Sequence, residues 1–483
     1  MIIILSILFP LLCGACMLLI NKINSRNARM GITVGTEIIE TILTFLIVFS
    51  EETSTGSFEF AKGLSLSFHS DITAKLFCLI VSIAWLFVTI YATVYMKHEK
   101  KEERFFFFSF LTQSAMMGAI LSSNLVSMYL FFELVTLFSA PLVLHSLSKE
   151  AISAAKKYLY YSIAGAFLAL FGIFVLATNA PTLNFIPGGT ITEVNSIVLV
   201  GVFCMCIGFG AKAGLFPLHG WLPTAHPVAP APASALLSGI IAKIGVLAII
   251  RTVFFTLGAK NLIGTWVQTT LLVLSLLTVL MGSMMAYREK IFKKRLAFST
   301  VSQISYVLVG LFLFTDSGFE GALWQILFHA IVKVGLFLCA GAVIFLYGKT
   351  EVSDLCGMGK KMPITFACFT VLSLSLIGIP PTGGFFSKWE LASASLSNSV
   401  IGSFSWIIPV ILLISALLTA GYLLPITIKG FWAEDVHNGS KEDAKEPKLM
   451  IIPLVVLSSF AILGGIFSQE TSEFLSTIAK SIF

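Results

Sequence analysis

Apolar runs long enough to cross a bilayer recur along this chain from one end to the other. A helix needs about 20 apolar residues to span the roughly 30 Å hydrocarbon layer. The runs lie at 2–20, 30–50, 72–96, 104–121, 124–148, 157–178, 195–218, 231–256, 261–286, 295–315, 319–347, 363–399, 404–430 and 449–468. Lipid-embedded backbone groups must be satisfied internally, as in a helix. The pattern therefore predicts an all-α integral membrane protein with about 14 transmembrane helices.

The composition agrees with this class and excludes others. Of 483 residues, 57% are hydrophobic and 12% are charged, whereas soluble domains carry about 25% charged residues. The net charge of +6 is scattered over short loops, which argues against nucleic-acid binding. The chain has no dinucleotide, phosphate-loop or zinc-protease motif, and most of its cysteines lie in apolar runs. We therefore expect no cofactor and no metal site.

Basic residues concentrate in alternate loops. The loops at 97–104 and 288–295 carry clusters of Lys and Arg, and the first and last loops of this set add Lys22 and Lys441. The opposite set is nearly free of basic residues, with Lys62 and Lys260 as exceptions. Basic loops face the cytoplasm. An even number of helices then predicts that both termini lie outside, in the cell membrane.

Five ionisable residues interrupt the apolar runs or follow a broken one: Glu133, Lys212, Lys243, Lys333 and Lys388. Each costs roughly 2.5–3.5 kcal/mol at the bilayer centre on insertion scales. A histidine, His329, precedes Lys333 by four residues, so the two share one helix face. Costly residues on five separate segments indicate a path for a charged species, most simply protons.

Each of these residues also has a plainer interpretation. Glu133 could be a protonated acid that bonds a neighbouring helix, and Lys212 could reach the membrane interface along its apolar stem. Lysine nevertheless suits proton transfer, because burial favours the neutral amine and a nearby carboxylate favours the charged form. Hydroxyl groups could bridge the gaps in such a row, and the candidates are Ser234, Ser238, Thr300 and Ser302.

Two runs contain helix breakers. The first break, at 210–227, includes Pro217 and Pro223, and the second, at 378–389, includes Pro380 and Pro381. Proline interrupts a helix, and a break at membrane depth survives only where protein or water satisfies the freed backbone groups. We therefore predict that helices 7 and 12 are discontinuous, with two half-helices in 363–399.

The two breaks lie five helices apart, which predicts two inverted five-helix repeats. The expected repeats are 101–258, with helices 4–8, and 259–432, with helices 9–13. Helices 1–3 occupy 1–100, and a cytoplasmic loop and helix 14 occupy 433–483. In the second repeat, Lys388 would lie near the start of a half-helix, where the macrodipole disfavours a cation. That position favours a neutral amine or a nearby acid, with Glu390 as the local candidate.

The run from Lys212, Lys-x4-Pro-Leu-His-Gly-Trp-Leu-Pro-x-Ala-His-Pro, resembles the hallmark of the proton-conducting antiporter-like membrane subunits. This family includes the L, M and N subunits of respiratory complex I, the large subunits of Mrp cation/proton antiporters and relatives in membrane-bound hydrogenases. The stretch Pro-Pro-Thr-Gly-Gly-Phe-Phe-Ser-Lys-Trp at 380–389 is most similar to D-type Mrp subunits. Complex I M subunits have glutamate at the position of Lys388, so the lysine argues against an M-type chain.

The resemblance implies a proton-translocating subunit of a multi-subunit membrane complex. Glu133 and Lys212 would form an input-coupled ion pair, with Lys243 at the centre of the path. His329 and Lys333 would relay protons, and Lys388 would gate exchange with the outside. The partners would be other membrane subunits, driving transport by cation antiport, which would involve sodium, or by electron transfer.

Two other functions stay open at this point. The first is a structural membrane subunit without conduction, although a subunit that conducts nothing has no need of five costly charges. The second is a stand-alone secondary transporter, although such a protein usually has one central binding site rather than a row of lysines.

Overall fold

The structure is a computed structural model that describes residues 1–20, 25–61, 64–433 and 445–483. Three basic residues used in the topology argument, Lys22, Lys62 and Lys441, lie outside these ranges, as does part of the predicted loop that precedes helix 14.

The described chain is almost entirely helical. Its α-helices are α1 Ile2–Ile20, α2 Arg26–Phe49, α3 Ile72–Tyr95, α4 Glu102–Leu121, α5 Leu125–Val143, α6 Lys149–Asn179, α7 Ser196–Ala213, α8 Leu222–Val228, α9 Ala231–Leu236, α10 Lys243–Ile250, α11 Trp266–Arg288, α12 Phe292–Phe312, α13 Asp316–Tyr347, α14 Met358–Lys361, α15 Pro363–Ile377, α16 Gly383–Ser397, α17 Phe404–Trp432, α18 Lys448–Ile466 and α19 Ser468–Lys480. Short 3-10 turns lie at Met96–His98, Ala259–Leu262 and Val352–Leu355.

Within the described ranges, 12 helices are long and apolar enough to span a membrane, and Ile2–Met17 and Pro363–Ile377 are shorter apolar helices. Together they correspond one to one with the 14 predicted runs. Both predicted breaks are present, since α7 stops at Ala213 and the run at 363–399 divides into α15 and α16. The predicted all-α membrane protein with discontinuous helices 7 and 12 is confirmed.

Helix starts are set by short polar side chains. Asp71, Asn124, Ser148 and Thr315 each accept a hydrogen bond from the backbone N–H three residues ahead. Such caps satisfy amide groups that have no partner within the helix. These caps explain why each of these helices begins directly after a short polar residue.

The eighth span, Ala231–Leu257, has a feature that the sequence did not reveal. Two π-helical segments, Leu237–Ile241 and Arg251–Leu257, flank α10. π-turns are rare and often occur at functional sites. Because this span is buried along its whole length, every polar group on it needs a partner inside the protein.

Two further elements lie at the periphery. Strands β1 Phe58–Ala61 and β2 Leu64–Leu66 form an antiparallel hairpin between α2 and α3. The final helix, α19, is amphipathic and packs against α13. Helix α13 also contacts α3, α9, α12, α15, α16 and α18, so it occupies the centre of the bundle.

Candidate functional site

The first break positions Lys212. Helix α7 ends at Gly214, which adopts a φ of +85° that suits glycine. The last carbonyl groups of α7 are capped by backbone amides and by the Trp221 indole, whose Nε1–H donates to Ala211 O at 2.9 Å. Because these groups close the helix end, the Lys212 side chain is available for contacts with other helices.

Lys212 is 1% exposed and is held by two hydroxyl groups. Its Nζ donates to Thr136 Oγ1 on α5 at 2.6 Å and to Tyr158 OH on α6 at 2.8 Å. The Tyr158 hydroxyl also lies 2.7 Å from Ser139 Oγ. The amino group is therefore buried, as the transport interpretation requires, and does not reach the membrane interface.

Glu133 lies one helical turn before Thr136 on α5 and is partly exposed. One of its oxygens, Oε1, is buried and has no hydrogen-bond partner among the described residues. No ion pair within 4.0 Å joins Glu133 to Lys212 in the part of the chain that the structure describes. The two side chains interact electrostatically at a distance, but they do not form the predicted ion pair.

Lys243 follows directly after the first π segment. Its Nζ donates to Ser238 O at 3.0 Å, within the same span. The Ser238 hydroxyl lies 2.6 Å from Thr300 Oγ1 on α12. Two of the predicted bridging hydroxyls are thus joined next to Lys243.

The other two predicted hydroxyls lie elsewhere. Ser234 Oγ donates to His226 O at 3.1 Å. Ser302 donates to Val279 O at 2.9 Å and lies 2.8 Å from Ser283 Oγ, toward α11 and α17.

Helix α13 carries Lys333 and His329 on one face, and both are buried. Lys333 Nζ donates to Leu296 O on α12 at 3.1 Å and to Ser299 Oγ. In contrast, neither ring nitrogen of His329 has a hydrogen-bond partner within the described ranges. The imidazole interacts electrostatically with Lys243, Lys333 and Lys388, so it lies near three of the four lysines.

A cavity of about 10 Å³, roughly the size of one water molecule, is lined by both His329 and Lys388. Three polar side chains beside it form a chain of hydrogen bonds. Gln325 Nε2 donates to Gln303 Oε1 at 2.9 Å, and Ser387 Oγ donates to Gln325 Oε1 at 2.6 Å. The cavity and this chain provide a polar connection across the gap.

Lys388 lies in the second turn of α16 and bonds across the second break. Its Nζ donates to Ile377 O at 2.6 Å and to Leu376 O, the last two carbonyl groups of α15. The negative end of the α15 macrodipole thus compensates for the unfavourable start of α16. Glu390, the local acid considered above, forms no ion pair with Lys388 among the described contacts and interacts with Glu320 instead.

Sequence reasoning missed several residues. Thr136, Tyr158 and Ser299 bond to lysines of the row from distant parts of the chain, so no local pattern identifies them. Gln325 lies four residues before His329 on α13, and this helical spacing was the available signal for it. Three ionisable residues inside apolar runs, however, were visible in the sequence: Glu37, Glu40 and Arg251.

Arg251 is 1% exposed and pairs with Asp71, the cap of α3, at 2.5 Å and 2.9 Å. Burial opposes ionisation of Asp71, but the adjacent guanidinium outweighs it and holds the pKa of that carboxyl below its usual value. A charge that looked isolated in the sequence is therefore neutralised by a loop residue.

The groups along the row suit proton transfer. In the described part of the chain, no three His, Cys, Asp or Glu side chains come close enough to hold a metal ion. Lys212, Lys243, Lys333 and Lys388 each donate to neutral oxygen atoms, and His329 has no partner among the residues described. Such groups can gain or lose a proton when a neighbouring charge changes.

Comparison with known proteins agrees with this chemistry. Residues 122–419 match the family described as "NADH:quinone oxidoreductase/Mrp antiporter, TM", and residues 58–106 match the N-terminus of complex I chain 5. The chain is 32% identical over 413 residues to NADH-quinone oxidoreductase subunit N of Desulforudis audaxviator, covering 81% of this chain and 80% of that protein.

It is also 29% identical over 488 residues to the D-type subunit of the Na(+)/H(+) antiporter of Alkalihalophilus pseudofirmus, covering 99% of this chain and 97% of that protein. The fold matches a chain of the archaeal membrane-bound sulfane sulfur reductase with a TM-score of 0.87 at 21% identity, covering 99% and 97% of the two chains. The resemblance seen in the sequence is confirmed, and this chain belongs to the NADH:quinone oxidoreductase/Mrp antiporter transmembrane family.

Proposed function

We propose that this chain is a proton-translocating subunit of a multi-subunit membrane complex, and that its row of buried bases carries the protons. The observation that carries the proposal is the row itself. Lys212, Lys243, Lys333 and His329 are buried and Lys388 is partly buried, and their nitrogen atoms lie next to neutral groups rather than carboxylates. A structural subunit would gain nothing from these costly groups.

Electrostatic repulsion supplies the mechanism. His329 is coupled to three lysines, and Lys243 is coupled to Lys333. When one base in the row takes up a proton, the charged form of its neighbours becomes less favourable. A proton that enters at one end therefore promotes release further along. Hydroxyl groups, the Gln325 amide and water in the small cavity would connect the bases.

The first break is the proposed input. Lys212 interacts electrostatically with Glu133, but its hydrogen bonds go to the hydroxyl groups of Thr136 and Tyr158. A movement of α5 that brings the carboxylate closer would favour the charged amine, and the reverse movement would release its proton. The predicted ion pair is then one of two states of this site. Lys388, at the other end, would exchange protons with the outside.

Either of two driving reactions in partner subunits would supply the energy. The alignment to a D-type Na(+)/H(+) antiporter chain over nearly the full length favours cation antiport. The match to an NADH-quinone oxidoreductase chain favours electron transfer in partner subunits. We also propose the two inverted repeats at 101–258 and 259–432, and an orientation in the cell membrane with both termini outside.

Proton movement in inverted membrane vesicles that contain the native complex tests the function. Lys243→Met keeps the side-chain bulk and removes the central amine, and Lys97→Met, at an exposed position, is the matched control. We expect acidification, followed with a pH-sensitive dye, to fall about tenfold or more in Lys243→Met, a barrier increase of roughly 1.4 kcal/mol.

Adding sodium and adding a reductant in separate experiments identifies the driving reaction, because only the coupled one produces a wild-type signal. Full acidification by an assembled Lys243→Met complex would show that protons cross elsewhere and would favour the structural-subunit interpretation.

A further inference from the structure

Helix α2 has a polar face buried inside the protein and an apolar face exposed outside. Five of its six buried residues are polar, and the buried set is Thr33, Glu37, Glu40, Thr41, Thr44 and Ile47. Its exposed large side chains are Ile32, Ile38, Ile39, Ile42, Leu46 and Phe49. An apolar outer face suits lipid, but a polar inner face at membrane depth indicates a function.

Two glutamates occupy the middle of this face. Glu37 and Glu40 are spaced i, i+3 and therefore neighbour each other on the helix, and they are 0% and 1% exposed. Glu37 Oε1 accepts a hydrogen bond at 2.7 Å, and Glu40 Oε1 accepts one from Thr44 at 3.5 Å. The second oxygen of each carboxyl group, Oε2, is buried without a partner among the described residues.

A third side chain, which is not acidic, contacts this pair. Gln113 on α4 is 0% exposed, and its Nε2 is the donor to Glu37. The amide oxygen, Gln113 Oε1, is also buried and has no donor within the described ranges. The three side chains therefore present three oxygen atoms that accept nothing from the described chain, and a buried acceptor without a partner is destabilising.

The described surroundings supply no positive charge. Neither glutamate takes part in an ion pair within 4.0 Å among the described residues. The nearby hydroxyl protons are already in use, because Thr41 donates to Glu37 O at 2.8 Å and Thr33 to Arg29 O at 3.0 Å. A bound cation would satisfy all three oxygens at once.

We propose that Glu37, Glu40 and Gln113 bind a single alkali cation, with Na⁺ as the ion to test. Carboxylate and amide oxygens are the ligands that hard cations prefer. One cation and one shared proton neutralise the two carboxyl groups, which removes the large cost of burying unpaired charge. A divalent ion such as Ca²⁺ takes about 6–8 oxygen ligands, whereas these side chains offer three oxygen atoms without a partner among the described residues.

This site is separate from the row of lysines. It lies among the first four helices, and the row begins on α5 and α7. The buried threonines extend its polar face, since Thr33 and Thr44 are 11 residues apart, or about 16 Å along the helix. The inference does not depend on the proposed function and would stand if the lysine row carried no protons.

Equilibrium binding of radioactive Na⁺ to the purified native complex, in a buffer that otherwise contains only choline as cation, tests the site. We expect Glu37→Gln and Glu40→Gln to lose one saturable Na⁺ per chain, or to bind it at least about tenfold more weakly, a loss of roughly 1.4 kcal/mol. Gln113→Met, which keeps both carboxyl groups, should weaken binding to a smaller extent.

Two variants serve as controls. Glu51→Gln removes an exposed acid outside the helices, and Lys243→Met removes an amine of the lysine row. Both variant proteins should bind Na⁺ as the wild type does. A thermal shift provides a second measurement, because Na⁺ should raise the unfolding temperature of the wild type but not of Glu40→Gln.

The proposal is overturned if the wild type and both glutamine variants bind the same number of Na⁺ ions, since the carboxyl groups then hold protons only. Binding of Ca²⁺ in place of Na⁺ at these residues would overturn the assignment to an alkali cation.

Discussion

Each of the two broken helices carries a lysine, buried at the first break and partly buried at the second, but the two lysines have different roles. At the first break, the end of α7 is capped by backbone amides and Trp221, and Lys212 bonds to hydroxyl groups on α5 and α6. At the second break, Lys388 itself caps α15 by bonding to the carbonyl groups of residues 376 and 377.

The two lysines differ in whether their hydrogen-bond partners can move. The partners of Lys212 are side chains on other helices, which can rotate or move with those helices when a neighbouring protein moves. The partners of Lys388 are backbone carbonyl groups, which cannot rotate away and would be left without donors if the amine departed. We infer that the first break responds to its surroundings and that the second combines proton exchange with a structural task.

The strongest effect should come from adding a methyl group where the two half-helices of the second break meet. A Cβ on Gly384 would overlap Ser375 O, a backbone atom of the other half-helix. At the first break, a Cβ on Gly214 would meet the flexible Leu222 side chain at 2.5 Å. We expect Gly384→Ala to prevent assembly of the complex. Gly214→Ala should cost only the strain of its positive φ, about 1–3 kcal/mol.

Native gel electrophoresis of the complex, with Gly35→Ala as control, measures this effect, because a Cβ at Gly35 meets nothing within 4 Å among the described residues. Normal assembly of Gly384→Ala would show that the two half-helices can separate.

The next effect compares the two lysines directly. Lys388→Met leaves two carbonyl groups without donors, at about 1–3 kcal/mol each. Lys212→Met leaves hydroxyl groups that keep other partners, such as Tyr158 OH with Ser139 at 2.7 Å. We expect the unfolding temperature of the complex to fall further for Lys388→Met, as followed by differential scanning fluorimetry. Equal falls for the two variants would contradict the structural task of Lys388.

A more moderate effect should follow from one hydroxyl group at the first break. Tyr158→Phe removes a hydrogen-bond partner of the Lys212 amine, worth about 1.5–3 kcal/mol for a charged group. We expect slower acidification in inverted vesicles with an assembled complex. The exposed Tyr160 on the same helix provides a matched control, Tyr160→Phe, which should behave as the wild type. An unchanged acidification rate in Tyr158→Phe would mean that the Tyr158 hydroxyl group does not affect proton transfer at Lys212.

The weakest effect should come from an acid near the second break. Glu390 interacts with Glu320 rather than Lys388, so Glu390→Gln should leave acidification almost unchanged. Glu133→Gln removes the carboxyl group that acts on Lys212 and should slow acidification about tenfold, or by roughly 1.4 kcal/mol. Similar losses in both variants would mean that both lysines depend on a nearby acid and would remove the contrast between the breaks.

Much of the fold could be predicted because its signals are local. The length of each apolar run and the prolines at 217, 223, 380 and 381 are properties of short segments, and they predicted the spans and both breaks. The same runs made the buried lysines conspicuous. Glu37 and Glu40 were missed although they lie in the predicted helix at 30–50. Their spacing with Thr33 and Thr44 follows the helical period, which was the available signal.

A helical membrane protein with a row of buried bases follows from the amino-acid order alone, because the cost of exposing polar groups to lipid acts on every segment separately. What each base contacts depends instead on how whole helices pack. Tyr158 lies 54 residues from Lys212, and Gln325 lies 62 residues from Ser387. The order of residues within one helix does not encode its neighbour, so these contacts emerge only in the folded bundle. For the same reason Glu133 lies near Lys212 without touching it, and Gln113 meets Glu37 across two helices.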